Sequence, residues 1–187
     1  MMPEPAKVRG QQVRQRLLAA AVELIAERGW GGVSTRVLAE RAGVTPSVVH
    51  YHFPSMPNVL SEAVIGLMRA VVAETSAVLE TASSPAEGVD RIIAELDRYS
   101  GTDPVSLVSI ESYLAATRDD QLRGRIAEVL AELQGRFAAW LATHEVRSPE
   151  ATARVLGAAI DGLLLHRGLE ADADLASLRE VLYRLVK

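Results

Sequence analysis

The sequence predicts an all-α protein: an N-terminal three-helix domain that carries a helix-turn-helix, with a larger C-terminal helical domain behind it. Three observations predict this. Apolar residues recur with helical period along the chain, and no useful stretch alternates as a strand would. Ala, Leu and Val dominate a composition that is 49% hydrophobic and only 4% aromatic, and Ala and Leu are strong helix formers. Gly, Pro and Ser interrupt the periodic stretches where helices would stop and start. The 187 residues suffice for one or two domains with a sizeable core.

Residues 1–10 are polar and contain Pro3 and Pro5, which predicts a flexible arm. Residues 11–54 form the head. In 11–28, Leu17, Leu18, Ala21, Leu24 and Ile25 fall on one helical face, and Gly29 ends the helix. Trp30-Gly31-Gly32 is a turn. A second helix spans about 35–42, with Ser34 as N-cap and Gly43 closing it. Thr45 is the next N-cap candidate, and Pro46 takes the first helical position, where its missing N–H costs nothing. That third helix ends near Phe53, because Pro54 drives its predecessor out of the helical region.

Residues 55–187 form the body. Helices are predicted over 57–79, 86–99, 105–117, 119–142, 149–168 and 172–186, separated by Ser-Pro and Asp-Pro turns. The last carries Leu175, Leu178, Leu182 and Leu185 at heptad-like spacing.

Charge is divided unevenly. The net charge is −4, yet residues 1–60 hold seven Lys or Arg against four Glu. A basic head on an acidic body suits a protein that meets an anion with one end. No cysteine is present, which fits a reducing cytoplasm and removes disulfides and thiolate metal sites. No signal-peptide core and no membrane-length apolar run is found, so no membrane partner is expected. No nucleophile–base pair, phosphate loop, His-x-x-His or Glu-x-x-His spacing stands out. No enzyme, cofactor or metal site is expected.

A helix, a turn at Gly43 and a second helix have the spacing of a helix-turn-helix. In the second of these helices Val49 and Phe53 share the inner face, leaving Pro46, Ser47, His50 and Tyr51 outside. Short residues at the start of a reading helix let its backbone approach base edges. Ser47 can bond a base or phosphate, Val48 can touch a thymine methyl, and Tyr51 and His52 can donate to phosphate. Arg36 is the guanidinium able to grip guanine O6 and N7 together.

The stretch LLAAAVELIAERGWGGVSTRVLAERAGVTPSVVHYHF, residues 17–53, resembles the N-terminal domain of TetR-family transcriptional regulators. The run PEATARVLGAAIDGLLLHRGLE and the final amphipathic helix resemble that family's dimer-forming helices. The resemblance implies a homodimeric repressor on double-stranded operator DNA, released by a small-molecule effector held in the body. It places DNA contacts on Thr35, Arg36, Thr45, Pro46, Ser47, Val48, His50, Tyr51 and His52. Two residues depart from the family pattern: His50 stands where Tyr is common, and Met56 where a phosphate-contacting Lys is common.

In the body, Tyr99, Glu111, Tyr113, Phe137, Trp140, Asp161 and His166 are the polar or ring-bearing residues able to line an apolar ligand pocket. Each also has a plainer reading. Phe137 and Trp140 suit a core, Asp161 beside Gly162 suits helix packing, and His166 suits a helix C-terminus. The broad apolar faces of the last two helices predict a two-fold interface built on Leu156, Ile160, Leu163, Leu164, Leu175, Leu178, Leu182 and Leu185. Two other functions stay open at this point. One is a regulator of the same fold that answers to a protein partner or to no ligand. The other is a helical enzyme or carrier with a vestigial head.

Overall fold

Ser, Asp and Pro decide where most of the helices begin. The side chains of Ser34, Ser55, Ser84, Asp103 and Asp119 each accept a bond from a backbone N–H of the first turn that follows. Pro stands at the first or second helical position of five helices, where no donor is needed. The resulting order is α1 (Ala6–Arg28), a 3-10 turn (Trp30–Gly32), α2 (Thr35–Ala42), α3 (Pro46–His52), α4 (Met56–Glu80), α5 (Pro85–Leu96), α6 (Pro104–Ala116), α7 (Asp120–Thr143), α8 (Pro149–Arg167) and α9 (Leu175–Leu185). This computed structural model describes residues 6–169 and 175–187, apart from the side chains of residues 6, 7 and 175–177. The described residues form only helices and turns, as the periodicity predicts.

Several details differ from the sequence reading. The helix expected over 86–99 stops at Leu96. Residues 6–10, expected in the arm, are already helical, and the Gly10 backbone runs beside the His52 ring. The last helix was expected from 172, but residues 172–174 lie outside the described residues, and α9 is seen from Leu175. The Thr45 hydroxyl does not cap α3: it bonds the Ser47 hydroxyl at 2.8 Å instead.

The head is built around Leu17, Leu24, Ile25, Leu38, Val49 and Phe53, all buried. Arg41 clamps α2 to α1 through Glu23 and Glu27 at 3.0 and 2.6 Å. Gly43 adopts φ +65, and its N–H reaches the carbonyls of Ala39 and Glu40, so α2 stops sharply enough for α3 to turn across it. This core does not end at residue 54. Val59, Leu60, Ala63 and Val64 of α4 belong to it, and so does Val108 of α6. A single helix, α4, therefore starts inside the head and finishes in the body.

The body contains two further cores. One joins Ile65 and Val72 of α4 to Leu122, Ile126 and Val129 of α7. The other gathers Leu79, Val89, Ile93, Phe137, Leu141, Leu156 and Leu182. Helix α9 is fastened to α5 by Asp90, which accepts the Tyr183 hydroxyl at 2.6 Å and pairs with Arg179 at 3.0 Å. The end of α8 is fastened to the α5–α6 turn. Arg167 donates to the Leu96 carbonyl at 2.9 Å and pairs with Asp97 at 3.2 Å. There the Gly101 and Gly168 backbones touch.

Candidate nucleic-acid interface and ligand cavity

The exposed side of the head is formed by the start of α2 and most of α3. Arg36, Thr45, Pro46, Ser47, His50 and Tyr51 are exposed, while Thr35, Val48 and His52 are half-buried. Tyr51 is 84% exposed, the most open of the large apolar-bodied side chains. Its ring meets His52 edge-on at 5.1 Å. The inner residues Val49 and Phe53 fix which way α3 faces. Arg14 lies over the Phe53 ring at 4.8 Å and pairs with Glu62, so it braces the head from behind. Arg14 and Arg41 are thus engaged structurally. Arg36 makes no ion pair among the described residues and is available for an outside acceptor. Met56, where the family pattern favours Lys, packs half-buried on the head core.

A second feature lies in the body. A cavity of about 570 Å³ is enclosed by α4, α5, α6, α7 and α8. That is the size of a pocket for a drug-sized molecule. Of the sequence candidates, Tyr99, Tyr113, Phe137 and Asp161 line it. Tyr113 donates its hydroxyl to Asp161 Oδ2 at 3.2 Å. Desolvation raises the Asp161 pKa against the opposing effect of that hydrogen bond. Burial and then the neighbouring Asp161 charge raise Tyr113 well above its ordinary value. Burial, followed by the Glu74 charge, raises Tyr99.

Three candidates lie elsewhere. Trp140 packs on Gly88, Phe137 and His144 on the far side of α7. His166 is exposed near the end of α8. Glu111 points away from the cavity and accepts the Trp30 backbone N–H at 2.7 Å. Glu74, Glu95, Gln134 and Arg154 line the cavity without having been singled out in the sequence. Glu74 and Glu95 are ordinary solvent-face residues by helical pattern, and only the packing of five helices brings them to one space.

The predicted interface residues divide as well. Leu156 and Leu182 are buried inside the protomer, since α7, α8 and α9 close on one another there. They are not available to a partner. Ile160, Leu163, Leu164, Leu178 and Leu185 are half-buried against the same core, and the Leu175 side chain lies outside the described residues. The apolar side chains left outward are Val155 and Leu165 on α8, Leu169 just beyond it, and Val181 on α9.

Helix α6 links the two features. Val105, Ser109, Ile110 and Tyr113 border the cavity, while Val108 enters the head core and Glu111 holds the 3-10 turn after α1. One helix thus touches both the cavity and the head.

Comparison with known proteins agrees with this layout. A family model described as bacterial regulatory proteins, tetR family, matches residues 17–63, and one described as tetracyclin repressor-like C-terminal domain matches residues 83–187. The HTH-type transcriptional regulator BetI of Brucella melitensis biotype 2 is 28% identical over 165 residues, covering 86% of this chain and 82% of that protein. The Streptomyces coelicolor A3(2) protein SCO7518 is 32% identical, with a TM-score of 0.78 over 94% of this chain and 99% of its own. The multidrug binding protein EbrR, solved in complex with ethidium, is 30% identical, with a TM-score of 0.71 over 92% of this chain and 97% of its own.

Proposed function

Because the chain belongs to the tetR family of bacterial regulatory proteins and is a DNA-binding transcriptional regulator, we propose that it is a homodimeric repressor released from a pseudo-palindromic operator by a small, largely apolar ligand. The observation that carries this reading is the position of α6, with one face on the cavity and the other in the head. A ligand changes DNA affinity only if it prefers one of two conformations. Here the ligand favours a position of α6 that draws the two heads out of register with successive major grooves.

In the DNA-bound state α3 lies in the major groove. Pro46 and Ser47 let its start approach base edges, Val48 faces a thymine methyl, and Arg36 reads guanine from α2. Thr35, Thr45, His50, Tyr51 and His52 reach phosphates along the rim. The outward face of α8 and α9, with Val155 and Val181, packs against its two-fold copy. Two heads so joined fit half-sites about 34–36 Å apart, or a multiple of that spacing. EbrR, whose structure holds ethidium, supports a small-molecule ligand for a protein of this fold. The polar residues on the cavity wall weigh against a regulator that takes no ligand.

Selection from random duplex DNA at fixed salt tests the reading. Wild type is expected to enrich an inverted repeat, and Arg36→Ala to blur it at one position per half-site with a loss of about 1–3 kcal/mol. No enrichment, or a motif unchanged by Arg36→Ala, contradicts base reading by this head.

A further inference from the structure

We infer that the molecule taken by the body cavity is an organic cation, with Asp161 as its counter-ion. This rests on the reading of the cavity as the effector site. The charged residues on the wall are Glu74, Glu95 and Asp161 against Arg154. Glu95 is already paired with Arg98 at 2.7 Å. Asp161 has no cationic partner among the described residues; its hydrogen bond comes from the neutral Tyr113 hydroxyl. Arg154 stands seven residues earlier on α8, roughly 10 Å along the helix axis, too far to pair with it.

Asp161 lines the cavity and its side chain is exposed, and the apolar residues around it raise its pKa. The cavity wall therefore carries a carboxylate with no cationic side chain of the described residues beside it. A bound cation supplies that charge. The rest of the wall suits such a ligand. Tyr99, Tyr113 and Phe137 contribute aromatic rings, a residue type that attracts cations, and Ile110 and Leu133 contribute apolar bulk. An anion of the same size would meet the carboxylates of Glu74 and Asp161 as well as Arg154.

Tetraphenylphosphonium and tetraphenylborate have the same four-ring shape and opposite charge, and triphenylphosphine oxide is a neutral relative. Isothermal titration of the full chain with all three separates charge from shape. The phosphonium is expected to bind at least about tenfold more tightly than the borate, and Asp161→Asn to weaken it at least about tenfold. Affinity for the phosphine oxide stays within about twofold, since it does not use the charge. Equal affinities for the two ions, a preference for the borate, absence of phosphonium binding, or phosphonium affinity unchanged in Asp161→Asn each overturn the inference. Should Asp161→Asn fail to fold, the comparison of the two ions on wild type decides alone. The regulatory reading fails separately. Phosphonium bound through Asp161 with no effect on the selected operator leaves the cation site standing and contradicts ligand control. Release of the operator by the borate or the phosphine oxide, without release by the phosphonium, does the reverse.

Discussion

Gly101→Ala lowers stability by about 2–4 kcal/mol, which for a chain of this size moves the melting temperature down by about 5–15 °C. The cause is local and has two parts. Gly101 adopts φ +79, a conformation that strains any residue with a Cβ. A Cβ there would also stand 2.2 Å from the Gly168 nitrogen and 2.6 Å from its Cα. Both are backbone atoms and cannot rotate aside. Gly168 is the C-cap of α8, and Arg167 beside it is already bound to Leu96 and Asp97, so the contact cannot open without breaking that attachment. Gly66→Ala is the control. Gly66 lies within α4 with nothing within 4 Å of its would-be Cβ, and the change is expected to be neutral or to stabilise by about 0.5–1 kcal/mol. Thermal unfolding of the two variants beside wild type checks both. Equal melting temperatures would mean that α8 is not held against the α5–α6 turn.

Glu111→Ala is expected to uncouple the body from the head. Its carboxylate is the acceptor for the Trp30 N–H and lies against Gly29, so it grips the turn that ends α1 from a helix bordering the cavity. Coupling between two sites in one protein is typically about 1–3 kcal/mol, or about 5–150-fold in affinity. Without the grip, ligand-induced loss of operator affinity falls toward none, while affinity for ligand measured without DNA changes by less than about threefold. Glu111→Gln keeps a carbonyl oxygen able to accept the same N–H and restores most of the response. Operator titrations with and without ligand for the three proteins make the comparison. A full response in Glu111→Ala would place the transmission elsewhere, in Val108 or in α4.

What the sequence revealed follows from the range of the interactions involved. Helix starts at Ser34 and Pro46 are local devices, legible from a few residues, and they stand where the pattern put them. The exposed face of α3 was equally legible, because the four-residue spacing of Val49 and Phe53 determines the opposite side. The cavity was legible only in part. Tyr99, Tyr113, Phe137 and Asp161 stood out as rings or as a charge within an apolar run, but Glu74 and Glu95 resemble any solvated residue until five helices surround them. Glu111 was noticed for the right reason, a charge on an apolar stretch, and given the wrong partner. Its acceptor role depends on a turn 81 residues away that no local pattern points to. Leu156 and Leu182 were misassigned in a similar way. Two helices with wide apolar faces can cover each other as well as a partner, and periodicity does not say which side does which.

The most direct test of the central claim uses the selected inverted repeat and a copy with five base pairs inserted between its half-sites. The insertion turns one half-site by about half a helical turn relative to the other. Two heads held at fixed separation by one dimer cannot then meet both, so affinity at fixed salt should fall at least about 100-fold, toward that for random duplex. Unchanged affinity would mean that the heads bind independently, and that a ligand in the body has no separation to alter.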